Sequence, residues 1–536
     1  MVWVWGGRAI SMPVMARILV TEEIAEGGLD RLREAGHTVD VRTDLTPEQL
    51  RGVVSTAHAL IIRSTTQVDA ELLDAATELV VVGRAGIGLD NVDVEHATDR
   101  GVMVVNAPQS NIISAAEHTI ALLLAQARNV PQAHAALTAG RWERARWEGV
   151  ELADKTLGIV GLGRIGKLVA DRAKAFQMRL VAYDPFVSAD RARQMGVELM
   201  ALDQVVATSD FLTIHLPKNK ETTGLIGREL LLKAKPSLRV INVARGGIVV
   251  ESELAECIRD GVIAGAALDV FEKEPTTESP LFELEQVVVT PHLGASTREA
   301  QDKAGDAIAD MVQLALAGDF VPWAVNVDAA EAHEAIRPFL PLAECLGRLY
   351  GSLHQSSPDS FELCCQGDIA RYDTRILGLA VLKGFFSRIS DGPVSYVNAP
   401  NLAKAAGIAM REVNSTQTDE YVNLITLRCP DHHSISGTLT GRRGEQRIVE
   451  VDGHDFDVPP ADHMLVVTND DRPGVIGSVG TVLGTANVNI ADMDVGRVAD
   501  AGTAVMLIAT TTEVPEPVLA ALRAAPGILS VEELHG

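Results

Sequence analysis

Several features between residues 161 and 292 have side chains suited to catalysis. A Gly-Leu-Gly-Arg-Ile-Gly run occupies residues 161–166 at the end of an apolar stretch, and Asp184 ends the next such stretch. Arg245, Glu274 and His292 follow, each in a short motif of its own. Glycine turns that open helices bind phosphates, arginine holds carboxylates, and histidine exchanges protons near neutral pH. In this order, these residue types indicate hydride transfer between a dinucleotide and a secondary alcohol.

The glycine run has the spacing of a dinucleotide-binding turn. It follows a strand-like stretch (156–160) and opens a helix-like one (164–176), which is the context this motif requires. Gly161 permits the tight turn, Gly163 lets the backbone approach a pyrophosphate, and Gly166 allows helix and strand to pack closely. The alternative is a tight turn that binds nothing.

Asp184 is the expected reader of the adenosine ribose. A carboxylate at the end of the second strand of such a domain accepts hydrogen bonds from the ribose hydroxyls. It also repels a 2′-phosphate, so the sequence predicts NAD rather than NADP. The alternative is a carboxylate that only caps the end of its strand.

His292, Glu274 and Arg245 are the candidate catalytic residues. We expect His292 to take the hydroxyl proton, and Glu274 to orient the ring and stabilise its protonated form. Arg245 is expected to hold a carboxylate through its planar fork. All three follow strand-like stretches, and open α/β sheets place their sites at the carboxyl ends of strands. The alternative is a structural Arg–Glu ion pair beside a core histidine.

The elements that must position these residues alternate between strand and helix patterns, which indicates parallel sheets with crossover helices. The first strand is expected near Arg17. A long helix is predicted over 114–129, with Ser114 as its N-cap and Glu117 completing a capping box. Six strand-like runs follow, as in a doubly wound dinucleotide domain. A helix after Ser296 is expected to lead back to the first unit.

The predicted fold is α/β, with two Rossmann-like doubly wound domains, an α+β intervening domain and a C-terminal ferredoxin-like βαββαβ domain. A chain of 536 residues is too long for one core. The predicted limits are 16–113 with 294–328 for a discontinuous substrate-binding domain, 114–293 for the dinucleotide domain, 329–461 for the intervening domain and 462–536 for the last domain.

The composition argues against several function classes. Acids outnumber bases by 72 to 47, and the net charge of −25 disfavours binding to nucleic acid or to an anionic membrane. No apolar run is long enough to span a membrane, and residues 1–15 lack the signature of a signal peptide. The five cysteines have neither zinc nor disulfide spacing. We therefore expect no bound metal, and free thiols in a reducing cytoplasm.

The motifs resemble those of the D-isomer-specific 2-hydroxyacid dehydrogenases. The matching segments are RSTT (63–66), GRAGIGLDNVD (83–93), NAPQSNIISAAEH (106–118), GLGRIG (161–166), NVARGG (242–247), ALDVFEKEP (267–275) and TPHLGAST (290–297). The resemblance covers nearly the whole chain from about Arg17. Within the family, the chain is similar to the long members that oxidise 3-phospho-D-glycerate to 3-phosphohydroxypyruvate with NAD, the first step of L-serine biosynthesis.

The resemblance implies roles for particular residues. His292 would be the general acid/base, Glu274 its partner and Arg245 the binder of the substrate carboxylate. The residues implied in NAD binding are Gly161, Gly163, Arg164, Ile165, Gly166, Asp184, Leu216, Val243, Ala244, Asp269 and Gly294. Those implied in substrate binding are Arg63, Arg84, Gly86 and Arg245.

The phosphate end of such a substrate needs cations. Arg63 and Arg84 lie in the matching motifs and are the first candidates. The basic stretch Arg141, Arg144 and Arg146 is a further candidate, since in the family this segment can reach the site of a neighbouring subunit. The alternative for this stretch is a solvated helix face.

The C-terminal region resembles an ACT domain, a sensor of small ligands. Asp471 and Asn489 match positions that bind L-serine at a subunit interface in the family. The resemblance therefore implies L-serine as effector and a homodimer or homotetramer. Asn469 stands where serine-binding relatives can carry a tyrosine. The alternative is a module that only dimerises.

Residues 330–460 resemble the intervening domain of the longest members, through YVNAP (396–400) and SGTL (436–439). In relatives this domain can bind substrate or phosphate as an effector. The cations available for that role are Lys404, Arg442, Arg443 and Arg447. The role rests on resemblance alone.

Two other functions stay open. One is another member of the family, such as a hydroxypyruvate or glyoxylate reductase, although a short reductase needs no amino-acid sensor. The other is a non-enzymatic NAD sensor that acts as a transcriptional corepressor, which a measurement of turnover would distinguish. One local departure is Val250, where relatives are expected to carry an acid. The missing helix cap costs about 1 kcal/mol.

Overall fold

The computed structural model describes residues 15–327, 332–353, 358–390, 394–418, 420–429, 433–497 and 503–535. Residues 1–14 of the leader considered above lie outside this part. The described chain forms four β-sheets with helices packed against them.

The first sheet has five parallel strands in the order β2-β1-β3-β4-β5. Its elements are β1 (Arg17–Val20), α1 (Glu26–Glu34), β2 (Thr38–Val41), α2 (Pro47–Val54), β3 (Ala59–Ile62), α3 (Ala70–Ala75), β4 (Val81–Arg84), α4 (Val94–Asp99) and β5 (Met103–Asn106). The first strand begins at Arg17, as predicted. Side-chain caps fix where three helices begin, since Thr46 accepts from the N–H of Gln49, Asp69 from that of Leu72 and Asp93 from that of His96.

Two helices, α5 (Ile112–Arg128) and α6 (Val130–Thr138), lead to the second unit. The predicted capping box at the start of α5 is wrong. The N-cap is Asn111, whose side chain makes no capping bond. The Ser114 hydroxyl lies 2.8 Å from that of Thr297, and Glu117 pairs with Arg172 at 3.3 Å. Both side chains have tertiary partners, which the local pattern does not reveal.

The second sheet has seven parallel strands in the order β12-β11-β10-β9-β6-β7-β8. Its elements are β6 (Thr156–Val160), α7 (Arg164–Ala175), β7 (Arg179–Tyr183), α8 (Ala189–Gln194), β8 (Glu198–Leu199), α9 (Leu202–Thr208), β9 (Phe211–Ile214), α10 (Arg228–Leu231), β10 (Arg239–Asn242), α11 (Glu251–Arg259), β11 (Gly265–Leu268) and β12 (Val287–Val289). The sequence predicted six strands, and β8 is too short to show a strand pattern. Val250 is the N-cap of α11 and gives no side-chain bond.

Helix α12 (Arg298–Leu316) returns to the first unit. Its buried Ile308 and Val312 share one apolar cluster with Val81 and Val105 of the first sheet. The first unit is therefore built from two separate stretches of chain, as the sequence indicated. The exact domain limits given above stay a prediction.

The third sheet is mixed and has six strands in the order β14-β13-β15-β16-β17-β18. Its elements are α13 (Leu340–Leu353), β13 (Ser360–Gly367), α14 (Arg375–Ile389), α15 (Ala399–Ala406), β14 (Ala409–Ser415), β15 (Asn423–Arg428), β16 (Ser434–Thr440), β17 (Glu445–Val451) and β18 (His454–Val458), with short 3-10 turns at Arg337–Phe339 and Asp368–Arg371. This is the predicted α+β unit.

The fourth sheet is antiparallel in the order β20-β21-β19-β22. Its elements are β19 (His463–Asp470), α16 (Val475–Thr485), β20 (Ile490–Arg497), β21 (Thr503–Thr510), α17 (Glu516–Arg523) and β22 (Ile528–His535). The βαββαβ order predicted for this region is confirmed.

Candidate active site

The site residues of the second unit lie at one edge of its sheet. Strand β6 runs into Gly161, β10 into Arg245, β11 into Asp269 and β12 into His292. Because these strands are parallel, their carboxyl ends share one edge. The sequence predicted this common edge.

The turn after β6 is shaped for a phosphate. Gly161 has φ +98°, and a Cβ there would lie 2.7 Å from the His215 carbonyl oxygen. A Cβ on Gly166 would collide with the Gly161 carbonyl. Nothing lies within 4 Å of a Cβ placed on Gly163, where α7 begins without a side-chain cap. Space is therefore open beside Gly163 at the N-terminus of α7, where the helix dipole and uncapped N–H groups favour an anion.

Asp184 helps to shape this turn as well as facing it. Its Oδ2 accepts the N–H of Leu162 at 2.7 Å, and its Oδ1 accepts that of Phe186 at 2.9 Å. An ionised carboxylate has about four acceptor positions, so capacity remains for ribose hydroxyls. Asp184 can therefore cap the end of its strand and still accept hydrogen bonds from a ribose.

Other residues implied in NAD binding surround the same edge. Arg164 and Ile165 form the first turn of α7, Leu216 follows β9, and Val243 and Ala244 follow β10. Asn242 sets the path of the last pair, because its side chain accepts the N–H of Ala244 and donates to the Arg245 carbonyl, both at 3.0 Å.

His292 and Glu274 form a close pair. His292 Nδ1 lies 2.5 Å from Glu274 Oε2, and Glu274 Oε1 accepts the N–H of Phe271 at 2.8 Å. Burial alone would raise the pKa of Glu274, but the hydrogen bonds from His292 and Phe271 hold it below its usual value. An ionised Glu274 fixes a proton on Nδ1 and leaves Nε2 as the nitrogen that can accept one. The His292 side chain is 45% exposed, within reach of a substrate.

Asp269 is the scaffold of the turn that carries His292. Its residue is 0% exposed. Its Oδ1 accepts the Thr290 hydroxyl at 2.5 Å and the Leu293 N–H at 2.7 Å, and its Oδ2 accepts the Gly294 N–H at 2.8 Å. Burial alone would raise the pKa of Asp269, but the hydrogen bonds it accepts hold it below its usual value.

His292 itself has a left-handed backbone, with φ +55°. A non-glycine residue in this region costs about 1–3 kcal/mol and persists only where its surroundings hold it. Here its N–H donates to the Asp269 carbonyl at 2.8 Å, and the next two N–H groups donate to the Asp269 carboxylate. Asp269 therefore holds the unusual turn in place.

Asp269 and Gly294, which the resemblance implied in NAD binding, hold each other in the turn that carries His292, and their NAD contact stays a prediction. Asp269 has no exposed surface, and both of its carboxylate oxygens accept hydrogen bonds from this turn. Gly294 is buried, and its N–H is used by Asp269. Both residues therefore take part in the hydrogen bonds that hold the His292 turn. A motif match does not show which side of a turn a side chain faces, so only the structure could assign this role.

The sequence reasoning assigned no role to His118 or Thr290, although both lie in the matching motifs. His118 Nε2 is 3.2 Å from Asp269 Oδ1 and 3.0 Å from the Thr290 hydroxyl oxygen. One signal was available: His118 stands beside Thr119, which is buried, and a partly buried polar side chain needs a partner.

Arg245 reaches from the second unit to the first. Its Nε lies 3.5 Å from Asp90 Oδ2, and its Nη1 donates to the Ala244 carbonyl at 2.8 Å. Asp90 follows β4 of the first sheet. Arg245 therefore spans the cleft between the two α/β units.

Arg63 and Arg84 lie on the first-unit side of this cleft. Burial, together with the charges of Arg245 and Arg63, lowers the pKa of Arg84 to about 10, so it stays cationic at neutral pH. Its Nε is buried without a hydrogen-bond partner. A Cβ on Gly86 would collide with its guanidinium, which explains the glycine. Three neighbouring guanidiniums favour a ligand with more than one negative charge.

The turn that carries Arg63 is held by two residues to which the sequence reasoning gave no role. The carboxylate of Glu22 accepts the N–H groups of Arg63 and Thr66, both at 2.9 Å. The amide of Asn91 donates to the carbonyls of the same two residues at 2.9 and 2.6 Å. Burial alone would raise the pKa of Glu22, but these backbone hydrogen bonds hold it below its usual value.

The basic stretch lies elsewhere within its own chain. Arg146 pairs with Glu285 at 2.5 Å and lies over the Trp147 ring at 5.0 Å. Glu285 precedes β12, so Arg146 lies at the edge of the sheet opposite His292. Arg141 and Arg144 are exposed. These residues can join an active site only in another subunit.

The residues expected to bind L-serine lie in the fourth sheet's unit. Asp471 lies between β19 and α16, Asn489 lies directly before β20, and both are exposed. Asn469 is buried, and its amide donates to the Asp470 carbonyl at 2.7 Å. It therefore faces inward rather than toward a ligand.

The cations of the third unit are spread over several elements. Lys404 lies on α15, and Arg442 and Arg443 lie in the turn between β16 and β17. Arg447 on β17 has its Nε 3.6 Å from Asp457 Oδ1. All except Arg447 are exposed.

The five cysteines are buried free thiols: Cys257, Cys345, Cys364, Cys365 and Cys429. Burial raises the pKa of Cys345 to about 11. Within the described ranges, no three His, Cys, Asp or Glu side chains are grouped so as to hold a metal ion.

Comparison with known proteins gives matches along most of the chain. Residues 120–294 match the NAD-binding domain of the D-isomer-specific 2-hydroxyacid dehydrogenases, 335–452 match the D-3-phosphoglycerate dehydrogenase intervening domain, and 463–527 match the ACT domain. The D-3-phosphoglycerate dehydrogenase of Mycobacterium tuberculosis (strain ATCC 25618 / H37Rv) is 45% identical over 529 residues, 98% of this chain and 99% of the relative. That of Mycobacterium leprae (strain TN) is 46% identical over 97% of this chain and 99% of the relative.

The chain belongs to the D-3-phosphoglycerate dehydrogenase family. Such full-length identity confirms the resemblance seen in the motifs, and NAD is the cofactor of this enzyme. A crystal structure of a Thermus thermophilus protein is similar over 58% of this chain and 99% of its own, with 35% identity and a TM-score of 0.54. The predicted fold class is confirmed. Among the described helices, none combines the length and apolar character that a membrane crossing requires.

Asp269→Asn is expected to destabilise the protein and to change how its stability depends on pH. In the variant, an NH₂ group replaces one carboxylate oxygen and faces groups that are themselves donors. At least one buried donor then loses its acceptor, at a cost of about 1–3 kcal/mol. Since the folded pKa of Asp269 lies below its unfolded value, the carboxylate stabilises the fold above about pH 4 and ceases to do so as the pH falls below that. Thermal unfolding from about pH 7 to about pH 3 measures both effects.

The difference in stability between wild type and Asp269→Asn should be largest near neutrality and shrink in acid. The control is Asp74→Asn, because Asp74 forms an exposed pair with His96 at 2.9 Å, worth about 1 kcal/mol at most. A difference that stays constant down to about pH 3 would contradict the role given to the Asp269 carboxylate.

Proposed function

We propose that this enzyme oxidises 3-phospho-D-glycerate to 3-phosphohydroxypyruvate with NAD, the first step of L-serine biosynthesis. The observation that carries the proposal is a single cleft that combines the His292–Glu274 pair with arginines from both α/β units. The secondary alcohol of such a substrate suits the His292–Glu274 pair, and its carboxylate and phosphate suit the arginines of the two units. The names of the full-length relatives support the same reaction.

His292 is proposed to take the C2 hydroxyl proton on Nε2. Its Nδ1 faces Glu274 at 2.5 Å, so Nε2 is the nitrogen left for the substrate. The imidazolium that forms is stabilised by the Glu274 carboxylate, whose lowered pKa keeps it ionised near neutrality. In the reverse direction the same nitrogen returns the proton.

The turn after β6 and Asp184 are proposed to hold NAD. The open space beside Gly163 and the uncapped start of α7 support a bound pyrophosphate. The remaining acceptor positions of Asp184 suit ribose hydroxyls, and its charge disfavours a 2′-phosphate. NAD, when bound, supplies the acceptor for the hydride that leaves C2. Val243 and Ala244 are proposed to border the cofactor where β10 ends.

The arginines are proposed to divide the two charged ends of the substrate between them. Arg245, which follows β10 of the second unit, would hold the carboxylate through its planar fork. Arg63 and Arg84 would hold the phosphate. Burial and the neighbouring charges of Arg245 and Arg63 lower the pKa of Arg84, and a bound dianion would offset both the lost hydration and the repulsion.

We further propose L-serine as an effector, bound at Asp471 and Asn489, and a homodimer or homotetramer as the assembly. The ACT match supports an amino-acid effector. The exposure of both residues suits a site completed by a second subunit. The exposure of Arg141 and Arg144 suits a reach into a neighbouring active site.

Further proposals concern the ligand of the third unit, the domain limits and the location of the protein. The third unit would bind an anionic effector through Lys404, Arg442, Arg443 and Arg447. The domain limits given above are supported by the ranges of the matched families. A cytoplasmic location is supported by the buried free thiols, which persist in a reducing compartment.

His292→Ala is expected to lower turnover about 10²–10⁴-fold, the usual contribution of a general base. NADH formation, followed by absorbance with 3-phospho-D-glycerate and NAD, measures it. NAD binding should persist, because the proposed pyrophosphate and ribose contacts lie at the turn after β6 and at Asp184. The matched control is His96→Ala, since His96 also pairs with an acid, but in the first unit. Turnover within a few-fold of wild type in His292→Ala would overturn the proposed role.

Arg63→Ala is expected to raise the apparent KM for 3-phospho-D-glycerate far more than that for NAD. Loss of a charge-assisted hydrogen bond to phosphate costs about 1.5–3 kcal/mol, or about 10–100-fold. D-glycerate, which lacks the phosphate, is the control substrate, and its weaker turnover should change little. An equal loss for both substrates would show that Arg63 does not read the phosphate.

L-serine is expected to slow NADH formation and to bind the enzyme in a calorimetric titration, whereas D-serine should do neither. Asn489→Ala should weaken L-serine binding about tenfold, the effect of losing one hydrogen bond worth about 1.4 kcal/mol. Turnover that L-serine leaves unchanged, without heat of binding, would restrict the ACT unit to assembly.

A further inference from the structure

His118 connects the base to a helix outside the catalytic motifs. It lies on α5, the helix that links the first unit to the second. Helix α5 is fixed in the turn that leads to this residue, since Ser114 meets Thr297 at 2.8 Å and Glu117 pairs with Arg172 at 3.3 Å. His118 is therefore presented to the site from a firmly held element.

The hydrogen-bond pattern defines which form of His118 is present. Its Nε2 faces the Asp269 carboxylate at 3.2 Å and the Thr290 hydroxyl oxygen at 3.0 Å. The Thr290 hydroxyl itself donates to Asp269 at 2.5 Å, so its oxygen has only lone pairs to offer His118. Nε2 must then carry a hydrogen, shared between the two oxygens.

His118 supports a carboxylate that has no access to water. Asp269 is 0% exposed, whereas the His118 side chain is 19% exposed. A buried carboxylate needs donors around it. The other donors to this carboxylate described above come from the turn after β12, whereas His118 supplies its donor from α5. Without that donor, Asp269 is drawn toward other donors or toward water.

A shift of Asp269 would carry His292 with it. The carboxylate holds the N–H groups of Leu293 and Gly294, and the Asp269 carbonyl holds that of His292. These bonds keep His292 in its left-handed conformation, with Nδ1 toward Glu274. A catalytic group misplaced by about 1 Å can lower a rate about 100-fold.

We infer that His118 is a positioning residue for His292, acting through Asp269. It donates the hydrogen bond that holds the Asp269 carboxylate in the orientation that the turn requires, and it touches neither substrate nor cofactor. The inference rests on the proposed role of His292 as the base. It adds a specific requirement, a donor at Nε2 of residue 118.

The test compares His118→Leu, which removes the donor at similar size, with His118→Gln, whose side-chain N–H can replace it. NADH formation is followed through the first-turnover burst, with 3-phospho-D-glycerate and NAD both in excess over enzyme. The rate reports the positioning of the base, and the amplitude reports the fraction of folded, competent sites. A merely structural role would lower the amplitude and leave the rate of the competent sites unchanged.

The expected result is a first-turnover rate about 10–100-fold lower in His118→Leu with full amplitude, and a rate in His118→Gln within about threefold of wild type. The KM for NAD should stay within about twofold in both. His96→Leu is the matched control, because His96 bonds Asp74 at 2.9 Å away from the site. If His118→Leu does not fold, Thr290→Val against Thr290→Ser tests the same carboxylate oxygen, with the same slowing expected in Thr290→Val.

A wild-type rate in His118→Leu, a loss of amplitude alone, or a His118→Gln variant as slow as His118→Leu would each overturn the inference. His292→Ala separates this failure from that of the proposed function. An inactive His292→Ala variant beside an unaffected His118→Leu variant overturns only the role of His118. An active His292→Ala variant overturns the proposed base and the inference together.

Discussion

The active site depends on one buried negative charge, the carboxylate of Asp269. A carboxylate without exposed surface is unfavourable unless donors surround it, and here it accepts bonds from the turn after β12 and from α5. Those bonds hold His292 in a backbone conformation that it would not adopt by itself. Because the hydrogen bonds to Asp269 fix the backbone of His292, they also orient its ring toward Glu274.

A second constraint is electrostatic. The chain carries a net charge of −25, yet its cleft collects the guanidiniums of Arg63, Arg84 and Arg245. Two of these come from the first sheet and one from the second, so the proposed anion site needs both units. The Asp90 contact with Arg245 crosses the same cleft. The arginine cluster disfavours an uncharged substrate and favours one with separated negative charges.

One helix joins the active site to the third unit. Helix α12 begins at Arg298, directly after the turn that carries His292, and the chain beyond its end is held by Lys383. The Lys383 ammonium donates to the Gly318 carbonyl at 2.9 Å and pairs with Glu344 at 2.9 Å. The third unit, which is proposed to bind an anionic effector, is therefore attached near the C-terminal end of α12. The same helix begins just after the turn that carries His292.

The sequence by itself determined the fold class, the dinucleotide turn and the identity of the candidate base, its acid and the arginines, because these depend on local patterns such as strand runs, glycine spacing and short motifs. It could not determine the N-cap of α5, the two-residue strand β8, or the roles of Glu22, Asn91, His118 and Thr290. Each of these depends on partners far away in sequence, such as Asp269 for His118 and Thr297 for Ser114. Only the tertiary structure decides such contacts, because a polar side chain takes whichever partner the packed chain brings within hydrogen-bond reach.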